Sequence, residues 1–226
     1  MAIRTALKLL FSRRHLLDAA MLRYVGHVSS DAVAAVTPSG GETPRNRRQE
    51  ETFRKVLTAG IEMLRESSYA DLTVRAVAAR AKVAPATAYT YFSSKNHLIA
   101  EVYLDLVRQV PYFTDVNDSM TTRVDKVLRA LTLVVADEPE VAAACTTALL
   151  GGGSDPAVRA VRDRIGGEIH KRIKSAVGPD ADPRIVSALE MTFFGALVNA
   201  GSGAFTYHQI ADRLTYVVGL VLGEDR

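Results

Sequence analysis

Thr73–Lys95 reads TVRAVAARAKVAPATAYTYFSSK, and this stretch sets the character of the whole chain. Thr73 is a good helix N-cap, and Val74, Val77, Ala78 and Ala81 follow at helical spacing, leaving Arg75 and Arg80 off that face. Lys82, Val83 and Ala84 interrupt the pattern. Pro85 then stands where a new helix can begin, because the N–H it lacks has no helical partner in a first turn. The spacing predicts a second helix over residues 85–91, only about 10 Å long at about 1.5 Å per residue. Such a helix buries little, mainly Ala88, Tyr89 and Phe92, and it displays Ala86, Thr87, Thr90 and Tyr91. Two short helices joined this tightly have the layout of a helix-turn-helix.

The displayed groups suit a DNA groove. Small Ala86 lets backbone approach a base edge, and the hydroxyl and methyl of Thr87 can meet a polar edge or a thymine methyl. Tyrosine hydroxyls can donate to phosphate oxygens. Ser94 and Lys95 open a further helix, where N–H groups, the positive end of the dipole and an ammonium converge on a phosphate. Arg75 can grip guanine bidentately or pair with phosphate. A single Arg, Thr or Lys here would suit an ordinary solvated helical hairpin. The spacing of all of them together does not.

Residues 81–95 read AKVAPATAYTYFSSK, and the run resembles the DNA-binding domain of the TetR family of bacterial transcriptional regulators, whose signature is close to A-G-V-S-x-G-T-L-Y-x-Y-F-x-S-K. Val83, Thr87, Tyr89, Tyr91, Phe92, Ser94 and Lys95 carry the match. The resemblance implies that Arg75, Pro85, Ala86, Thr87, Tyr89, Tyr91 and Lys95 lie at the DNA surface. Thr73 and Thr90 complete the candidate set on these two helices. Lys82 stands where the signature has a turn glycine, Ala84 where it has a hydroxyl cap, Ala86 where it has glycine, and Ala88 where it has a larger aliphatic residue. These departures bear on which operator is read rather than on DNA binding itself.

The 226 residues suffice for two modest helical domains or one large one, and 48% of them are hydrophobic. One cysteine, Cys145, excludes an internal disulfide and a cysteine-cluster metal site, which agrees with a reducing cytoplasm. No apolar run approaches the roughly 18 residues that suggest a membrane span. Residues 45–110 carry eleven Lys and Arg against seven Asp and Glu, whereas residues 111–226 carry twelve against fifteen. Positive charge therefore collects around the helix-turn-helix, as a phosphate-facing domain requires.

Residues 1–26 read as a basic helix in which Lys8, Arg13, Arg14 and Asp18 break any secretory core. Three readings compete: a DNA-contacting or partner-binding arm, a membrane-surface helix, or an extension that the fold does not need, the last being preferred. A start assigned too far upstream would look the same. Thr37–Pro44, TPSGGETP, is a linker by composition. Arg45, Arg47 and Arg48 follow, placed either to reach phosphate or the adjacent minor groove or to be a solvated linker end. Phe53, Val56, Leu57, Gly60, Ile61 and Leu64 mark the first helix of the domain, over about 48–66. Tyr69 and Leu72 are expected to close a small core against Val77, Val83, Tyr89 and Phe92. A longer helix runs from about Ser94 to Gln109, and Pro111 stops it. In the family this helix joins the reading head to the rest.

Beyond Tyr112 the pattern is helical throughout. One helix is marked by Val124, Val127, Leu128, Leu131 and Val135, a second runs from Pro139 until Gly151, Gly152 and Gly153 end it, and a third opens at Asp155-Pro156 and continues to Val177. The cationic face of the third reads as solvated surface. Asp182-Pro183 and the capping-box pair Thr206 and Gln209 open the last two, which are apolar over more than one stripe. Gly195, Ala196, Ala200 and Gly219 permit close approach. A pair too apolar for a monomer surface predicts a partner, and the resemblance implies a homodimer built from this pair as a four-helix bundle. Core burial within one chain is the alternative.

His15, His27, His97, His170 and His208 form no i, i+4 pair, and there is no P-loop, G-x-G-x-x-G or G-x-S-x-G. No metal site or cofactor is expected, and no enzymatic activity. A small apolar effector, lipid-like or steroid-like, is expected among the middle helices, with Cys145, Thr146, Leu149, Phe193, Phe194 and Asn199 as candidate wall residues. The expected fold is all-α: an extension and linker over 1–44, a three-helix DNA-binding domain over 45–95, and a helical ligand-binding and dimerisation domain over 96–226. The expected function is a cytoplasmic, dimeric, ligand-released repressor that binds double-stranded DNA at a near-palindromic operator. The alternative is a lipid-binding or catalytic helical protein with a vestigial DNA head, or an activator using the same head.

Overall fold

A computed structural model describes residues 46–151 and 155–223. The basic segment 1–26, the linker Thr37–Pro44, Arg45 and the glycines Gly152 and Gly153 lie outside the described residues. Among the described residues, 46–50 fall in one unit and those from 51 onward in another.

Every described element is a helix: α1 Arg47–Glu66, α2 Val74–Arg80, α3 Pro85–Tyr91, α4 Lys95–Gln109, α5 Met120–Leu133, α6 Pro139–Gly151, α7 Pro156–Val177, α8 Pro183–Gly201 and α9 Tyr207–Leu222. Their starts follow from local chemistry. Asn46 Oδ1 accepts from Gln49 N at 3.0 Å while Gln49 Oε1 accepts from Asn46 N at 2.9 Å, so two orphan donors of α1 are satisfied reciprocally. Thr206 and Gln209 do the same for α9. Thr73, Ser94 and Ser119 cap α2, α4 and α5. Asp155 and Asp182 cap α7 and α8, each just ahead of a proline. At the far end of α7, Gly178 takes φ 103, a backbone region that L side chains rarely enter.

Beyond Glu50 the first layer of core is aromatic and small. Phe53 stacks on Phe92 at 5.0 Å between ring centroids, and Val56, Leu64, Leu72, Val77, Ala88 and Leu98 are buried around them. The helix α4 then continues into the second group, packing against α6 and α7. There α5 packs on α7 and α9, and α8 packs on α9. Leu128, Leu131, Ile169, Ile173, Leu189 and Phe193 fill the space between with at most 1% of their surface exposed.

Two expectations need correction. Tyr89 is half exposed rather than part of the small core. In a seven-residue helix whose centre, Ala88, faces inward, the next inward positions are three and four residues on, at Tyr91 and Phe92, and position 89 is turned away. Nor is the cationic face of α7 wholly solvated. Arg172 is 2% exposed, and its guanidinium donates to Val110 O, Arg108 O and Glu168 O, each at 2.9 Å, and to Glu168 Oε2 at 2.7 Å. Pro111 ends α4 and frees these last carbonyls, and Arg172 is the donor that reaches them. No helix of the described residues is long and apolar enough to cross a membrane.

Candidate nucleic-acid interface

The platform under the reading surface is α1, and ion pairs fix α2 on it. Arg80 donates through Nε to Glu62 Oε2 at 3.1 Å and through Nη2 to Glu66 Oε1 at 2.6 Å. The hydrogen bond from Arg80 holds the Glu66 carboxyl below its usual range. Arg80 therefore serves as a brace, although its place in the sequence made it look like an outward cation. The hydroxyl of Thr73 accepts from Ala76 N at 3.1 Å, which starts α2 and leaves its own proton free to point outward.

The turn after α2 is a Schellman arrangement. Lys82 N donates to Ala79 O at 3.1 Å and Val83 N donates to Ala78 O at 2.9 Å, the paired bonds that close a helix over a left-handed residue. That residue is Lys82, with φ 55, the only non-glycine at positive φ among the described residues. For a residue with a Cβ, this conformation costs about 1–2 kcal/mol. The chain leaves it extended at Ala84, which offers no side-chain cap, and enters α3 at Pro85.

The helix α3 buries only Ala88. Pro85, Ala86, Thr87, Tyr89 and Thr90 are exposed, as are Thr73, the cap of α2, and Arg75 in its first turn, while Tyr91 is half-buried with its ring edge-on to Phe53. Thr90 Oγ1 donates to Ala86 O at 3.1 Å, so this hydroxyl can only accept from a duplex. Lys95 is half-buried: its ammonium donates to Tyr69 O at 2.9 Å and lies 4.1 Å from the centroid of the Tyr69 ring. A second, longer bond runs to Ala70 O at 3.4 Å, so Lys95 ties the loop before α2 to the start of α4 with one N–H left over. Arg47 and Arg48 sit in the first turn of α1 and are exposed.

Polar contacts connect the head to α7. Ser94 accepts from His97 N at 3.1 Å to cap α4, and its hydroxyl donates to Asp155 Oδ2 at 2.9 Å, the residue that caps α7. One turn further, the buried Glu101 accepts from Arg164 of α7 and lies 3.6 Å from His97 Nε2. Burial pushes the Glu101 carboxyl up, but His97 and Arg164 together outweigh it and hold the group below its ordinary value. Glu101 and Arg164 were not singled out in the sequence, and Ser94 and Asp155 were read only as helix starts, because pairing across helices leaves no local pattern.

Two of the six expected effector-wall residues lie in the core. Cys145 and Phe193 are buried, and burial raises the Cys145 thiol to about 12. Leu149 and Phe194 are half-buried, and Asn199 is exposed and donates to Gly195 O at 2.8 Å. Of the six, only Thr146 lines the groove of about 560 Å³ that Ala136, Pro139, Ala142, Phe205 and Tyr207 also border. Here α6 and the end of α8 approach closely: a Cβ on Gly201 would stand 2.6 Å from Thr146 Cγ2. Among the described residues no group of three or more His, Cys, Asp or Glu could hold a metal ion.

The family model described as "Bacterial regulatory proteins, tetR family" matches residues 56–102, from the second half of α1 to the first half of α4. An HTH-type transcriptional regulator of Mycobacterium tuberculosis is 73% identical over 195 residues, covering 86% of this chain and 92% of the relative. The HTH-type transcriptional repressor KstR of Rhodococcus jostii is 26% identical over 208 residues, or 86% of this chain and 93% of that protein. The crystal structure of a TetR transcriptional regulator from Rhodococcus sp. RHA1 is similar over 78% of this chain and 98% of that one, with a TM-score of 0.65 at 23% identity. With a reading head of this geometry and a relative this similar over nearly its whole length, the chain belongs to the TetR family of bacterial transcriptional regulators and is a DNA-binding regulator.

Proposed function

We propose that the protein is a homodimeric repressor in which the α3 helices of two protomers enter successive major grooves of a near-palindromic operator. The observation that carries this reading is α3 itself, a helix that buries one alanine and exposes Ala86, Thr87, Tyr89 and Thr90. A segment contributing so little to its own core is explained by what it touches outside. In this reading Thr73, Arg75, Pro85, Tyr91 and Lys95, with Arg47 and Arg48, complete the contact set, the head spans residues 45–95, and the remainder is regulatory. Repression rather than activation is favoured by the relative from Rhodococcus jostii, which is a repressor. A regulator acting on chromosomal operators works in the cytoplasm.

The second copy docks through α8 and α9. Met191, Tyr216 and Leu220 expose 59, 74 and 70% of their surfaces, a large apolar share for two adjacent helices of a lone chain. Gly195 belongs to the same reading: a Cβ there would meet nothing within 4 Å in the protomer, so the space beside it is open to a neighbour. The effector is a small apolar molecule, and the groove beside Thr146 and Tyr207, within the usual range of about 300–1,000 Å³ for ligand sites, is its entry. Repression ends when its binding shifts α6 against α4.

The test is selection of bound duplexes from a random pool. An inverted repeat with half-sites one helical turn apart, or somewhat more, is expected from two-fold symmetry. Recovery of no enriched sequence, with retention of a lipid instead, would transfer the assignment to a small-molecule binder with an idle head.

A further inference from the structure

The turn between α2 and α3 pairs two features that ordinary packing does not explain. The Schellman bonds from Lys82 N and Val83 N require a left-handed residue at position 82. Glycine meets that requirement without steric cost, so a lysine there is retained against a standing penalty. Backbone outliers of this kind cluster where the side chain or the geometry is used. The side chain of Lys82 is exposed and has no hydrogen-bond or ion-pair partner among the described residues.

The other cations of the head narrow the choice. Between residues 51 and 95, Arg54 lies 3.9 Å from Asp105, Lys55 pairs with Glu51 at 2.8 Å, Arg65 with Glu138 at 2.5 Å, Arg80 with Glu62 and Glu66, and Lys95 with the Tyr69 carbonyl. Arg75 and Lys82 are what remain. One lies in the first turn of α2, and the other stands at its end, three residues ahead of α3.

We propose that Lys82 is a DNA-contacting residue whose ammonium neutralises a backbone phosphate beside the groove that α3 enters, so that this turn trades fold stability for grip. The inference rests on the DNA-binding reading and adds to it a contact that sets strength and register but not sequence. A cation past the end of α2 could instead serve the dipole of that helix. The two roles give opposite results when the charge and the strain are removed together.

The experiment titrates a random-sequence duplex of about 30 base pairs with the full-length protein from low to moderate KCl, and follows thermal unfolding of the same samples without DNA. Lys82→Gly removes both charge and strain, Lys82→Asn removes the charge in a residue that tolerates positive φ, and Lys82→Arg keeps the charge. Lys82→Gly and Lys82→Asn are expected to bind roughly tenfold more weakly per protomer near 0.1 M salt and to lower the salt slope by about one per protomer. Lys82→Arg should bind like the wild type. The Lys82→Gly midpoint of unfolding should rise by about 2–4 °C. Wild-type affinity and slope in Lys82→Gly would overturn the proposal. So would weaker binding at an unchanged slope, which would assign the effect to the shape of the turn. A lowered midpoint with intact binding would assign the lysine to the dipole of α2. A wild-type chain that holds no duplex at any salt would defeat the underlying DNA-binding reading itself, a result distinguishable from all of these.

Discussion

The helices α3 and α9 both leave much of their surface uncovered, and they leave different chemistry on it. Along its seven residues α3 shows small, hydroxylated and aromatic groups around one buried alanine. Over its sixteen residues α9 buries Ile210, Ala211, Leu214 and Val218 and turns Tyr216 and Leu220 outward. A duplex offers phosphates and hydrogen-bonding base edges, whereas a second protein surface offers burial from water. In the proposed reading, what each helix exposes separates a nucleic-acid face from a protein face on one chain, although both are helices with one side in the core. Each side of the contrast is open to test.

The largest effect is expected at α9. Leu220 is 70% exposed, so Leu220→Glu should leave the fold of one protomer almost unchanged, within about 0.5 kcal/mol. In a two-fold interface the same substitution buries two unpaired carboxylates, each costing about 3–5 kcal/mol. Sedimentation should show a dimer for the wild type and a monomer for the variant, with unaltered helical circular dichroism. A variant that still sediments as a dimer moves the interface to another face and leaves the apolar residues of α9 without a role.

A smaller and more selective effect is expected at the reading surface. Arg75→Ala and Thr87→Ala should each relax preference at particular base pairs by about 1–3 kcal/mol while the dimer persists. Repeating the duplex selection with each variant measures this position by position. A uniform loss across all sequences would make these residues phosphate contacts, and the distinction between α3 and its surroundings would then blur.

The two regions also differ in how far they could be read from sequence. Helix limits were legible where a hard local constraint acts: Pro85 starts α3, Pro111 forces Val110 extended and so ends α4, and Asp-Pro pairs open α7 and α8. Facing was less legible in short elements. Two turns of α3 offer too few positions to separate Tyr89 from Tyr91, and the tyrosine expected inside lies half outside. Long-range polar contacts were not legible at all. Arg172 reads as one more solvated cation of α7 until the carbonyls freed at the end of α4 are seen beside it, and the bond from the Lys95 ammonium to the Tyr69 carbonyl has no trace in the sequence either. For the effector wall the difficulty is different. Buried Cys, Phe and Leu look the same in sequence whether they line a cavity or fill a core, and Cys145 and Phe193 fill one.

The smallest effects concern the starts of the two helices and should have opposite signs. Thr206 and Gln209 close α9 with both bonds of a capping box, whereas α3 begins at Ala84 with φ −60 and ψ 136, a suitable N-cap conformation without a side chain to use it. Thr206→Ala should cost about 1 kcal/mol, lowering the unfolding midpoint by about 2–4 °C. Ala84→Ser should gain a similar amount, because the serine hydroxyl can accept from an N–H in the first turn of α3 that otherwise has only water. If α3 is left under-capped so that its first N–H groups and Pro85 can sit against the duplex, Ala84→Ser will stabilise the free protein and weaken or leave unchanged its hold on DNA. A gain in both would mean that the missing cap is a plain defect of this head, and that the chemistry displayed on α3 owes nothing to how loosely the helix is started.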